Sequence, residues 1–228
     1  NFQRTGPFDV TLRVKGKAPE LFNPMTGQIT RIARYEETAN GTKIQINVND
    51  RADSYFVVFR DPPAAPSVVA ASAPVTELDL YYSANDELVA ESATAGSYTL
   101  SMSDGTTHNL SIPRSTDPVV IDEPWEKKNH DQQGFSVIHS TNFRLPAEPG
   151  SGERVYLDLG SVEVMAKVTL NGTTYETLWM PPFTLDVTDA LKAGANNLSV
   201  LVTSTSNGRP KLGDVVQLKT KAQVMVFQ

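Results

Sequence analysis

The feature that most constrains this chain is an apolar/polar alternation of period two, which recurs from one end to the other. Phe8-Asp9-Val10-Thr11-Leu12-Arg13-Val14 alternates without a fault, and Lys43 to Val48 sets Ile44, Ile46 and Val48 on one face. Side chains of an extended strand point alternately to opposite faces, so these runs gather their apolar residues only as strands. Tyr55-Phe56-Val57-Val58-Phe59 is apolar throughout and reads as a short strand covered on both faces. Glu77 to Tyr82, Ser97 to Met102, His108 to Ile112, Phe135 to Leu145, Arg154 to Leu159, Val164 to Leu170 and Asn197 to Thr203 are further strands. Turn chemistry separates them. Asn23-Pro24-Met25-Thr26-Gly27, Asp104-Gly105 and Asn171-Gly172 each supply the residues that tight turns require. Thr188 to Gly194 reads as one helical turn, with Thr188 capping its start and Gly194 its end. The pattern predicts an all-β protein built as sandwiches or jelly rolls.

A chain of 228 residues is long enough for one large or two ordinary domains. Asp61-Pro62-Pro63-Ala64-Ala65-Pro66 cannot continue a strand, because proline removes ladder donors. Residues 61–75 therefore read as a crossover. Pro113 to Asp122 is the expected boundary, giving one β-sandwich over 1–117 and a second over 118–228. Asn1 to Gly6 shows neither a Met start nor a basic-then-apolar leader, and reads as an end either processed or, the favoured reading, cut from something longer.

Composition narrows the chemistry. A formal net charge of −6 disfavours a nucleic-acid surface, which wants clustered Lys and Arg. No apolar run approaches the roughly 18 residues that read as a membrane span. The chain has no cysteine, so disulfides, thiolate nucleophiles and cysteine metal sites are excluded together. Its three histidines lie far apart, against a histidine-built metal site. No organic cofactor is expected.

At Tyr156-Leu157-Asp158-Leu159-Gly160-Ser161-Val162 and Val168-Thr169-Leu170-Asn171-Gly172 the chain resembles the sugar-binding jelly roll of β-galactosidase-type hydrolases. The likeness continues through Pro181-Pro182-Phe183-Thr184-Leu185-Asp186-Val187-Thr188 and Leu191 to Leu198. More narrowly, Leu178-Trp179-Met180-Pro181-Pro182-Phe183 and Leu212-Gly213-Asp214 resemble the C-terminal domain of family 106 α-L-rhamnosidases. Pro19 to Gly27 and Ser54 to Arg60 resemble the β-sandwich which those enzymes place after their barrel. The family's tryptophan and Asn-Arg pair are replaced here by Ser206-Asn207-Gly208-Arg209-Pro210.

The resemblance implies a galactose-binding-like jelly roll for the second domain, a secreted (extracellular or periplasmic) setting, and a catalytic barrel as the missing partner. Plant or microbial polysaccharide, rhamnose-containing chains included, is the implied ligand. Jelly rolls of this class often hold a structural calcium, for which Asp158, Asp186 and Asp214 are the carboxylates at hand. An inverting glycosidase needs two carboxyl groups roughly 6.5–9.5 Å apart, and the resembled family draws both from its barrel. No carboxylate here is assigned that role. The Asp122-Glu123 and Glu36-Glu37 pairs read as solvated turns.

Sugar binding is the activity these residues suit. Pyranose rings present apolar C–H faces, so Trp and Tyr supply flat contact while a few polar groups orient hydroxyls. Trp125 and Trp179 are the two tryptophans. Trp179 precedes two prolines, a rigid context suited to a loop tip or a domain interface, where it is either a sugar platform or packing under the loop. Trp125 has the same two readings. His139, Asn142 and Arg144 share one strand, where parity sends Asn142 and Arg144 to one face as sugar-hydroxyl partners or as a solvated surface. Tyr175 reads as a surface or edge residue.

Overall fold

The computed structural model describes residues 5–24, 26–48, 54–205 and 210–227. Strands dominate, and the described helical structure is a single short 3-10 turn. The chain divides into two compact units, one of Asn1–Ser115 with Lys221–Gln228 and one of Thr116–Thr220.

The first unit contains β1 (Gly6–Leu12), β2 (Pro19–Phe22), β3 (Ile29–Ile32), β4 (Tyr35–Thr38), β5 (Gly41–Val48) and β6 (Phe56–Phe59). It continues with β7 (Val68–Ala71), β8 (Asp79–Tyr82), β9 (Leu88–Ser92), β10 (Gly96–Met102) and β11 (Thr107–Ile112). One sheet runs β1-β5-β4 and a second β11-β10-β7, while β9, β8, β3, β2 and β6 lie side by side in a third. The ladders among these described strands are antiparallel. The alternation does what it predicts: Tyr98, Leu100 and Met102 of β10 and Leu110 and Ile112 of β11 turn inward onto Leu80, Leu88 and Ala90. Gly105 takes φ +86° in the hairpin between β10 and β11, the left-handed region a glycine reaches freely.

In the second unit β12 (Val119–Val120) and β13 (Glu126–Asn129) precede β14 (Ser136–Leu145), β15 (Glu153–Asp158), β16 (Met165–Leu170), β17 (Thr173–Thr174) and β18 (Thr184–Asp186). After the 3-10 turn Thr188–Ala190 come β19 (Gly194–Thr203) and β20 (Gln217–Phe227). The main sheet is ordered β13-β14-β19-β16-β17. Facing it, β15 pairs with β18, and β12 pairs with the first residues of β20. Between the layers lie Phe143, Ala166, Val168, Leu198, Val200 and Val202 from the main sheet and Val155, Leu157 and Leu218 from the other. At about 25 cal/mol per Å² of apolar area, burial of such side chains is the dominant favourable term.

Several expectations are corrected. The strand β6 is not covered on both faces. It closes the edge of its sheet, and Phe56 is 64% exposed. The crossover 61–75 is not free of structure, because Val68–Ala71 pairs with β10 and Val68 is buried. Glu36 and Glu37 sit on β4 rather than in a turn. Thr188 does not cap the helical turn, which is only three residues long and has no side-chain cap. Its hydroxyl donates to Asp186 Oδ1 (2.6 Å) and accepts the Val155 N–H (2.8 Å), tying the turn to β15. Gly194 instead opens β19 at φ +81°. Residues 118–228 do not stay together. From Lys221 onward β20 belongs to the first unit, where Ala222 to Phe227 pair with β9.

Candidate functional site

Leu178 and Ala166 exchange backbone hydrogen bonds at 2.8 and 3.0 Å, which turns Leu178 into the core and sends Trp179 outward. Trp179 is 59% exposed, between buried Leu178 and buried Phe183. The Glu163↔Lys211 bridge brings residues 210–216 beside residues 159–164. There a Cβ on Gly213 would stand 2.3 Å from the Leu159 carbonyl oxygen, so only glycine permits the approach. Exposed Val164 and Val215 lie on these segments. Ser206 to Arg209, the departure from the rhamnosidase pattern, fall outside the described residues.

Asn142 and Arg144 are both exposed on the outer face of β14, as parity requires, and Asn142 Oδ1 accepts from Asn197 Nδ2 at 3.0 Å. Ser140 with Ser199, and Thr169 with Thr174, continue this face as hydroxyl pairs. Trp179 is not part of it. The ladder places Ala166 opposite Val202 and Leu170 opposite Leu198, with Asn142 opposite Asn197. Leu178 pairs at the Ala166 end of β16, so Asn142 stands about five residues further along, roughly 17 Å at 3.3 Å per strand residue. Trp125 is half-buried and packs against the core of the second unit, while Thr141 Oγ1 donates to the Pro124 carbonyl beside it. Tyr175, expected at the surface, also packs against that core, and burial raises its pKa.

His139 faces inward, 3% exposed, with Nε2 unpartnered. Burial pushes its pKa below the ordinary value, and Lys127, opposite it on β13, pushes the same way. The three aspartates considered for calcium are each paired with a cation: Asp158 with Lys219 (2.6 Å), Asp186 with Arg154 (3.0 Å) and Asp214 with Lys211 (3.4 Å). Among the described residues no three His, Asp or Glu side chains gather at a point.

A cleft that sequence reasoning missed lies within the first unit. It encloses about 210 Å³ between the Asp61–Ala65 segment, β3, β4 and Tyr82. Its walls are held by their own bonds. Arg31 donates to Asp86 and to the Ser83 carbonyl, and Tyr82 donates to the Pro66 carbonyl. Glu20 accepts both guanidinium bonds of Arg60, at 2.6 and 2.9 Å, which hold its carboxyl below the ordinary range. Burial raises Tyr82 to about 12 and lifts Tyr35 in the same direction. The double proline that rules out a strand marked one wall. Nothing in the sequence brings Tyr35 and Tyr82 to the other.

No family model matches the chain. A stretch of 54 residues, 24% of the chain, is 54% identical to a protein of Formosa agariphila that bears the provisional name beta-glucuronidase, and it spans 5% of that protein. The fold matches the rhamnosidase from Novosphingobium sp. PP1Y over 96% of the chain, with a TM-score of 0.59 and 23% identity. The chain spans 22% of that enzyme's length. The likeness is one of fold, to one stretch of that enzyme.

Proposed function

We propose that this chain is the non-catalytic C-terminal part of a secreted α-L-rhamnosidase-like glycoside hydrolase of family 106. Its first unit serves as the β-sandwich behind the catalytic barrel. Its second serves as a galactose-binding-like jelly roll that supports the barrel and binds carbohydrate. The observation that carries the reading is the fold shared along almost the whole chain with about a fifth of a rhamnosidase. The exposed ring of Trp179 supports the binding role, since aromatic faces stack on the C–H faces of sugars. Asn142 and Arg144 form a separate polar face suited to sugar hydroxyls at most, away from that ring.

A second reading, a module used only for domain packing, is favoured by one feature of the first unit. Phe22 pairs across the sheet with Ile29 on one side and Phe56 on the other, and Ile29 and Phe56 are 48% and 64% exposed. Such a row is typical of a covered surface.

Calorimetric titration with rhamnose-containing oligosaccharides separates the readings. Carbohydrate binding predicts measurable affinity that Trp179→Ala weakens, and the packing module predicts none. Incubation with an aryl α-L-rhamnoside tests the non-catalytic assignment, which turnover by this chain alone would overturn.

A further inference from the structure

Tyr35 is 7% exposed, and its hydroxyl makes no hydrogen bond with any described residue. A phenol buried to that degree ordinarily finds a partner. Its hydroxyl is nevertheless not sealed off. The buried polar side-chain atoms without a partner among the described residues are Gln45 Oε1 and His139 Nε2, and Tyr35 borders the cleft of the first unit. Tyr35 borders a second, smaller hollow as well, but Tyr82, which feels the charge of Tyr35, lines the cleft and not that hollow, so the hydroxyl opens towards the cleft. Tyr82, by contrast, spends its one donor on the Pro66 carbonyl, and Arg31 is anchored by bonds to the Ser83 carbonyl and Asp86. The cleft has fixed walls and one uncommitted buried donor.

Size and charge define the occupant. At about 210 Å³ the space exceeds the ~150 Å³ that holds a benzene and falls short of the ~300 Å³ at which drug-sized pockets begin. One six-membered ring with its substituents fits. Arg60 neutralises Glu20 and Arg31 neutralises Asp86, which leaves Asp61 as the carboxylate in excess on the lining and disfavours an anion. Tyr35, Tyr82, Ile32, Pro62 and Pro63 supply apolar surface for C–H faces, and Asp61 accepts from hydroxyls.

We propose that this cleft is a second saccharide site, taking one neutral pyranose ring with the Tyr35 hydroxyl as its free hydrogen-bonding group. The choice of a sugar rests on the carbohydrate-binding reading above, while the place, the ring count and the selection against anions come from the cleft itself.

The test uses the whole chain, isotope-labelled, titrated at millimolar concentrations with methyl α-L-rhamnopyranoside, methyl β-D-galactopyranoside and methyl β-D-glucopyranoside, and separately with methyl β-D-glucuronide. The expected result is that a neutral glycoside shifts the amides of Arg31, Tyr35 and Tyr82 and the glucuronide does so more weakly. Tyr35→Phe keeps the ring and removes an unpartnered hydroxyl, so it folds and weakens the shift by about three- to tenfold. Ala64→Trp, filling the cleft from an exposed loop, abolishes the shift, and Trp179→Ala leaves it unchanged. Shifts confined to the surroundings of Trp179 and indifferent to Tyr35→Phe overturn the cleft and leave the carbohydrate reading standing. Equal response to the glucuronide overturns the selection against anions, and silence towards every glycoside sinks the cleft and the reading together.

Discussion

Lys221 Nζ lies 3.1 Å from Glu91 Oε1, and the Glu91 side chain is only 4% exposed. The same ammonium meets Asp79 Oδ2 at 2.7 Å. Burial opposes the charge on Lys221, but the two carboxylates outweigh it and raise the lysine's pKa. Gln223 Nε2 completes the arrangement at 2.9 Å from Glu91. A buried carboxylate thus depends on a cation that arrives from the far end of the chain.

Lys221→Met is expected to cost the first unit about 3–5 kcal/mol, since it strands a buried charge. The double variant Lys221→Met with Glu91→Leu recovers most of that loss, because a packed apolar pair substitutes for a buried ion pair nearly neutrally. Urea unfolding of both variants measures this. A single variant as stable as the parent contradicts the pairing.

Stability is expected to fall as the pH drops below about 6.5, the ordinary histidine value, on account of His139. Above that pH the imidazole is neutral in both states and contributes no slope. Below it the unfolded chain binds a proton while the folded chain, whose pKa is depressed, does not. The unfolded state then holds more protons, and stability declines until the pH passes the folded value. Denaturant midpoints for the parent and for His139→Leu, measured between pH 7 and the onset of carboxylate titration, test this: the parent slopes and the variant is flatter.

The two tryptophans should separate cleanly. Trp179→Ala leaves the unfolding midpoint within about 0.5 kcal/mol, as exposed substitutions do. Trp125→Ala removes packing from the second unit's core and costs about 2–4 kcal/mol, somewhat under the range for fully buried aromatics. Equal costs would mean that Trp179 is not on the surface.

Thr188→Val keeps the shape of the side chain and removes the acceptor for the Val155 N–H. The orphaned donor is expected to cost about 1–3 kcal/mol. Hydrogen exchange at Val155 is the direct readout, with faster exchange expected.

Gly213→Ala is expected to destabilise the second unit by about 1–3 kcal/mol, because its Cβ would meet a backbone oxygen that cannot swing away. Thermal melts of this variant beside Gly172→Ala provide the comparison. At Gly172 a Cβ meets open space and only the positive φ opposes it.

The strands most legible in the sequence are those with one wet face. Parity alone put Asn142 and Arg144 on one face, and in β14 that face is exposed, with Phe143 buried between them. Less legible were β9, whose five residues are all buried and show no alternation, and β7, a four-residue strand hidden in an Ala- and Ser-rich stretch. Trp179 stood out in the sequence as an aromatic before two prolines, while its exposure beside buried Leu178 did not. The Tyr35 cleft was not legible, since its walls come from segments separated by dozens of residues.

Alternation and turn residues by themselves determined that this chain is all-β, where most of its strands fall and which face of each is wet, because side-chain direction follows from a local two-residue geometry. Only the tertiary structure decided which strands meet, and with that the return of Lys221 to Glu91, the burial of His139 and the closing of a cleft around Tyr35. A strand's pattern specifies the face it buries and leaves its partner open, so long-range pairing is settled by the packing of the whole core.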